Sequence, residues 1–174
     1  VNPTVAPYAK SGEVQARVSA KAESADAAFA LVDPMVERIR NMLGDVVYGV
    51  DVSSLQAAVV ALLREKKLTV ALAESCTGGK VAAAITDIPG ASDVFGCGVC
   101  AYSNDIKQKL LNVSAKTLAD HGAVSAETAR EMAAGVRALS GADIGISITG
   151  IAGPGGGSAE KPVGLVWFGV DCAA

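Results

Sequence analysis

The sequence predicts an α/β protein: a layered α/β domain with a substantially parallel sheet, preceded by a small α+β unit of ββαβ order. Three observations carry this. Short, continuous apolar runs alternate with longer segments of helical period, as expected of parallel strands buried on both faces. Serines and glycines stand at the joins as helix caps and stops. Aromatics are only 4% of the 174 residues while 51% are apolar, so Ala, Val, Gly, Ile and Leu must build a closely layered core.

Residues 1–52 form the first unit. "VAPYAK" and "VQARVSAKA" flank a Ser11-Gly12 turn and read as a β-hairpin. A helix follows from about 24 to 43, capped by Ser24 and ended near Gly44, and "DVVYGV" supplies a third short strand. This ββαβ unit resembles a KH-like half-domain but has no G-x-x-G loop. Its acidic residues outnumber its basic ones, which argues against RNA and favours a spacer or dimerisation role.

Residues 53–174 form the second unit. "SLQAAVVALLREKK" is a helix whose buried face is expected to carry Leu55, Val59 and Leu62 or Leu63. Residues 68–73 are a buried strand, and a helix around 78–86 follows its polar loop. "IPGAS" breaks the chain, and "FGCGVCAYS" is a second buried strand. Ser103 caps a helix carrying Ile106, Leu110 and Leu111, and further helices lie near 114–120 and 125–140, the latter capped by Ser125. "DIGISITG" is a third strand, "IAGPGGGSAEKP" a long glycine loop and "VGLVWFGV" a fourth strand.

Composition excludes several function classes. A net charge of −3 gives no electrostatic basis for binding nucleic acid or an anionic membrane. No apolar run approaches the ~20 residues of a membrane span, and no stretch of the sequence reads as a signal peptide. The four cysteines do not resemble a secreted framework. Cys97 and Cys100 have redox or zinc spacing, but on a strand residues three apart face opposite ways, so small buried thiols in a reducing cytoplasm are expected. The chain starts at Val1 and stops just after a strand-like run, and it reads as a piece of something longer at both ends.

Chemistry concentrates where the strands end. "ESCTGG", "AYSNDIK" and "TGIAGPGGG" each close a strand with small and polar residues, and parallel neighbours would bring all three to one edge. No P-loop or dinucleotide-binding glycine pattern is present, so the glycines are either turn chemistry or an anion cradle. The single histidine, His121, precedes a helix cap and reads as a turn residue. One histidine and scattered carboxylates give no zinc-like ligand set, so no metal is expected. What remains is a serine or cysteine nucleophile with lysine as base. Lys107 follows Ser103-Asn104 by one helical turn, and it can act as a base only if its pKa falls from ~10.4 towards ~7–8.

"AESCTGG", "GVCAYSNDIKQKLL", "HGAVS" and "TGIAGPGGGSAEKPVGLVW", in that order, resemble the signature blocks of the CinA C-terminal domain family, the nicotinamide-mononucleotide amidases. "NPTVAPYAK" through "GDVVYGVD" resembles the KH-like middle domain of full-length CinA proteins. The N-terminal pyrophosphatase-associated domain of such proteins has no counterpart here. The resemblance implies hydrolysis of the carboxamide of nicotinamide mononucleotide to nicotinate mononucleotide and ammonia, with no cofactor. It points to Ser75 as nucleophile, Lys107 as base, Tyr102 beside it and Thr149 towards the ribose-phosphate. Glu74, Cys76, Thr77, Gly78 and Gly79, together with Asn104, Gly150, Gly153, Gly155 and Gly156, complete the expected substrate-binding set. The "CTGG" turn would hold the oxyanion. The family continues past "GLVWFGV" with a further strand and helix. A homo-oligomer, most simply a dimer, is expected.

Two other readings stay open on the residues themselves. Cys76 could be the nucleophile, with Glu74 and Lys107 as partners. The chain could also be a non-catalytic scaffold whose glycine loops bind a nucleotide.

Overall fold

The computed structural model describes residues 1–10 and 12–172. The chain divides into two compact units, Val1–Asp51 and Val52–Ala174. In the first, β1 (Thr4–Lys10) and β2 (Glu13–Ser19) pair antiparallel from Thr4↔Ser19 to Lys10↔Glu13. Gly12 takes the positive φ of the turn (79°), while Ser11 lies outside the described residues. Helix α1 (Ala25–Leu43) starts where the Ser24 hydroxyl accepts from the Ala27 N–H at 3.2 Å and stops at Gly44, whose φ is 61°. Ala28, Val32, Met35, Val36 and Ile39 recur at helical spacing as its half-buried residues.

The third strand expected at "DVVYGV" is not formed. Residues Gly44–Val46 make a single 3-10 turn, and 47–50 are irregular. β-branched residues favour a strand only where a neighbour offers a ladder, and β1 and β2 pair only with each other. The segment is tied instead by Tyr48, whose hydroxyl donates to Glu13 Oε2 at 2.5 Å.

The second unit contains α2 (Leu55–Lys66), β3 (Val70–Glu74), α3 (Lys80–Thr86), β4 (Phe95–Cys100), α4 (Asn104–Leu111), α5 (Ala115–His121), α6 (Ala126–Ser140), β5 (Ile144–Gly150) and β6 (Val166–Cys172). The sheet order is β4-β3-β5-β6; the first three run parallel and β6 is antiparallel at the edge. Alternation along β3 separates two cores. Val70 and Leu72 pack with Val60 and Leu63 of α2 and Ile85 of α3. Ala71 and Ala73 pack with Leu111 of α4 and with Met132 and Val136 of α6. The second unit is therefore layered helix–sheet–helix about β3.

The layers approach closely, which accounts for the scarcity of aromatics. A methyl group built on Gly135 would lie 2.0 Å from the Leu111 carbonyl oxygen, and on Gly145 2.2 Å from that of Ala133. Helix α6 thus lies directly against α4 and the sheet.

Two expectations about burial are corrected. On α2, Leu63 is buried, as one of the two expected alternatives, but its buried companion is Val60, and Leu55, Val59 and Leu62 are exposed. Every position from 57 to 63 is apolar, so several stripes compete and periodicity alone does not phase the helix. Arg64 helps to set it, donating to the Pro89 and Gly90 carbonyls and pairing with Asp93 at 3.1 Å. Strand β4, expected to be buried, is an edge strand that alternates half-buried with exposed residues. Cys97 and Cys76 are half-buried while Cys100 and Cys172 are exposed, so the expected buried thiols are only partly found.

Candidate active site

Central strand β3 ends at Glu74, and its neighbours fasten the residues beyond it. The Ser75 N–H donates to the Ile148 carbonyl of β5 at 2.9 Å, and the Ala101 N–H after β4 donates to the Glu74 carbonyl at 2.7 Å. The three carboxyl ends expected to converge do so, with the serine at their centre. Ser75 is 8% exposed.

Lys107 reaches this serine from α4. The Ser103 hydroxyl caps that helix by accepting from the Ile106 N–H, and the fourth helical residue then points inward. Only 1% of Lys107 is exposed. Its Nζ lies 3.0 Å from Ser75 Oγ, 2.7 Å from the Ala101 carbonyl oxygen and 3.5 Å from that of Tyr102. Among the described residues no carboxylate pairs with it. Burial pushes its pKa below the ordinary lysine value, and the nearby Cys76 and Cys100 thiols oppose that only in part. Nζ donates to the two carbonyl oxygens, and its contact with Ser75 Oγ is open to both forms: the ammonium donates to the hydroxyl oxygen, whereas in the neutral amine the serine hydroxyl donates to the lone pair.

Glu74 is also buried, at 1% exposure, but is solvated in the opposite sense. Its Oε2 accepts from the Gly79 and Val81 N–H groups at 3.1 Å each, and its Oε1 from Ala82 at 2.7 Å. Burial would raise its pKa. The adjacent Thr77 hydroxyl, which lies outside hydrogen-bond geometry, and these N–H groups outweigh burial and hold the carboxyl below its usual value. Between Glu74 and α3 the chain reverses through Gly78 (φ 61°) and Gly79 (φ 94°), conformations that a side chain would strain. In this turn the Gly78 and Lys80 N–H groups are bonded internally. Among the described residues, those of Cys76 and Thr77 meet no acceptor.

The remaining expected residues are placed as follows. Tyr102 contributes its carbonyl, while the residue as a whole is 74% exposed and its ring takes no part in the Lys107–Ser75 contact. Asn104 is exposed at the first position of α4. Thr149 is 1% exposed and donates to the Ala123 carbonyl at 2.8 Å, fastening the "HGAVS" segment to β5. Gly150 stands where a methyl group would lie 2.7 Å from the Leu165 carbonyl oxygen. Gly153, Gly155 and Gly156 belong to the loop between β5 and β6, with no hydrogen bond to the pair. His121 ends α5, its Nδ1 3.8 Å from Glu127 Oε2.

Sequence reasoning missed the carbonyls of Ala101, Tyr102 and Ile148, since a backbone acceptor carries no residue-type signal. Among the described residues, no cluster of three His, Cys, Asp or Glu side chains could hold a metal ion, and no helix is long and apolar enough to cross a membrane.

Comparison with known proteins bears on this arrangement. Residues 52–174 match the family described as the CinA C-terminal domain, and residues 1–49 match the damage-inducible protein CinA KH domain. A CinA-like protein of Desulfovibrio desulfuricans is 58% identical over 172 residues, covering 99% of this chain and 40% of that protein. A CinA-like protein of Kosmotoga olearia is 53% identical over 169 residues, covering 97% of this chain and 41% of that protein. The chain thus spans about two-fifths of the length of these relatives. The solved competence/damage inducible protein CihA of Agrobacterium tumefaciens has a TM-score of 0.67 at 47% identity, covering 68% of this chain and 72% of that one. A CinA superfamily protein of Escherichia coli has a TM-score of 0.66 at 38% identity, covering 68% and 69%.

Proposed function

Because the chain belongs to the CinA family, we propose that its second unit is a nicotinamide-nucleotide amidohydrolase, hydrolysing the carboxamide of nicotinamide mononucleotide with a Ser75–Lys107 pair. The observation that carries this reading is the 3.0 Å contact between Lys107 Nζ and Ser75 Oγ, made by a buried lysine with no carboxylate partner among the described residues. Burying an ammonium without a carboxylate partner is costly, which favours the neutral amine that a general base requires.

Ser75 Oγ attacks the amide carbon as its proton passes to the Lys107 lone pair. The carbonyl π pair moves onto oxygen, and the vacant N–H groups of Cys76 and Thr77 receive that oxyanion. Of the "CTGG" turn only these two remain for the role, because the N–H groups of Gly78 and Gly79 are already bonded. When the intermediate collapses, the C–N bond breaks and the nitrogen takes the proton from Lys107, leaving as ammonia and an acyl ester on Ser75. Water gives a proton to Lys107 and attacks the ester. The released serine oxygen recovers that proton, and the nicotinate nucleotide leaves. The Ala101 and Tyr102 carbonyls keep Nζ aligned throughout, and a relay through the Tyr102 hydroxyl is unnecessary.

The geometry favours Ser75 over Cys76, since Lys107 hydrogen-bonds to the serine and not to the thiol. Ammonia release from nicotinamide mononucleotide, followed for the chain and for Ser75→Ala, tests the reading. Turnover lost in the variant supports it. Saturable binding without turnover would overturn it in favour of a nucleotide-binding scaffold.

A further inference from the structure

We propose that Glu74 is a positioning residue that sets the oxyanion donors, rather than a group that binds substrate; this rests on the amidohydrolase reading. The segment 75–79 is held at both ends. At its start, the Ser75 N–H is fixed to Ile148 and the Glu74 carbonyl to Ala101. At its end, the buried Glu74 carboxylate takes the N–H groups of Gly79, Val81 and Ala82. Gly78 and Lys80 are bonded within the turn to Ser75 and Thr77. What this closed loop leaves vacant is the pair of N–H groups directly after the nucleophile.

The carboxylate therefore does two things. It occupies the donors at the start of α3, which would otherwise compete for an anionic group of the substrate at a distance from Ser75. It also fixes the path of a segment whose Gly78 and Gly79 have little conformational preference of their own. A carboxylate is required because all three neighbours are donors. An amide in its place would turn an N–H towards at least one of them, whichever way it faced. The Glu74 carboxylate is bonded to the N–H groups of Gly79, Val81 and Ala82 and forms no ion pair with Lys107, so its effect travels through the turn and not through the lysine.

The test measures Ser75 phosphonylation by a fluorophosphonate, with its end-point stoichiometry, alongside kcat and KM for nicotinamide mononucleotide. Glu74→Gln is expected to slow phosphonylation at least about ten-fold and to lower kcat per labelled serine about 10–100-fold. KM should stay within about three-fold, and the apparent pKa of the kcat/KM profile should not move. A purely structural lesion would reduce the labelled fraction and leave kcat per labelled serine unchanged, which would overturn the proposal. So would a raised KM at normal kcat, or a shifted pKa accounting for the whole loss. Should Glu74→Gln fail to fold, Glu74→Asp keeps the charge but is one methylene too short to span three donors. The same losses are expected of it, and near-normal kinetics would overturn the proposal. A wild-type chain that is phosphonylated but releases no ammonia would defeat the amidohydrolase reading alone, while the labelling rates would still decide the role of Glu74.

Discussion

The two units handle polarity in opposite ways. In Val1–Asp51 no described residue is buried, and Phe29, Met42 and Val46 are 60%, 73% and 75% exposed. In the second unit the buried set includes Glu74, Ser75, Lys107 and Thr149 beside its aliphatic core. Burying polar groups lowers stability unless each is satisfied, so a unit tolerates them only on a well-packed scaffold. Here the scaffold is three parallel strands clamped between α6 and α2–α3, and the polar groups collect at its carboxyl edge. The first unit has neither the core to support such groups nor any such groups to support. The proposed chemistry belongs to the second unit, and this contrast can be tested at several strengths.

The largest effect should come from the nucleophile. Ser75→Ala is expected to lower kcat by roughly 10³-fold or more, because the covalent route disappears. Cys76→Ala should retain most activity, since its backbone N–H survives the change. Stopped assays of ammonia release decide between them; an inactive Cys76→Ala beside an active Ser75→Ala would reverse the assignment.

Next is Lys107→Arg, which keeps the charge but cannot become neutral near physiological pH. A loss of about 10²-fold or more in kcat is expected, with KM within a few-fold. In the wild type, kcat/KM should rise with pH through an apparent pKa below the ordinary lysine value of 10.5, because the neutral amine is the working form and burial favours it. A lysine that merely held a phosphate would show the opposite slope, with affinity falling as it lost its proton.

Local chemistry was legible in the sequence and long-range chemistry was not. Ser24, Ser103 and Ser125 cap helices as read, because a cap needs only its own next three residues. The parallel order of three strands followed from continuous apolar runs joined by helices. The failed strand at 45–50 depended on an absent ladder partner, and the phase of α2 on which of several apolar stripes met β3. At the site, residue types could nominate Ser75 and Lys107, but their 3.0 Å contact joins positions 32 apart in sequence and depends on how the strand ends meet. From sequence alone Glu74 reads as a substrate ligand, because nothing in "ESCTGG" shows that its own turn provides three donors.

Packing provides the next contrast. Leu72 is 1% exposed within the core formed by α2, α3 and β3. Leu72→Ala should destabilise the second unit by about 2–5 kcal/mol, through lost transfer energy and a residual cavity. Denaturant melts of the chain would detect it as a lower midpoint in the second unit's transition.

Lys107→Met should act in the other direction and by less, raising the melting temperature while abolishing turnover. Its pH dependence carries the sign. The folded pKa is depressed, so between that value and 10.5 the unfolded chain binds the extra proton and stability rises with pH. Below the depressed pKa the full destabilisation persists. The advantage of methionine should thus be greatest below the depressed pKa and should shrink as the pH rises towards 10.5. An advantage that grew with pH would mean that the native lysine is held as a cation.

The smallest effect is expected in the first unit, at Phe29. Its side chain lies outside the half-buried stripe of Ala28, Val32, Met35, Val36 and Ile39, and the residue is 60% exposed. Replacing an exposed phenylalanine removes little apolar area from contact with protein, so Phe29→Ser should change stability by no more than about 0.5 kcal/mol. Serine is also a near neighbour of phenylalanine in helix propensity, which keeps the backbone contribution small. The measurement is a denaturant melt followed by a probe on the first unit, such as Tyr8 or Tyr48 fluorescence, so that the transition of the second unit does not mask it. A loss of about 2 kcal/mol or more, comparable to truncating a core leucine, would show that Phe29 is covered in solution. The first unit would then have a core after all, and the contrast between the two units would fail at its weaker end.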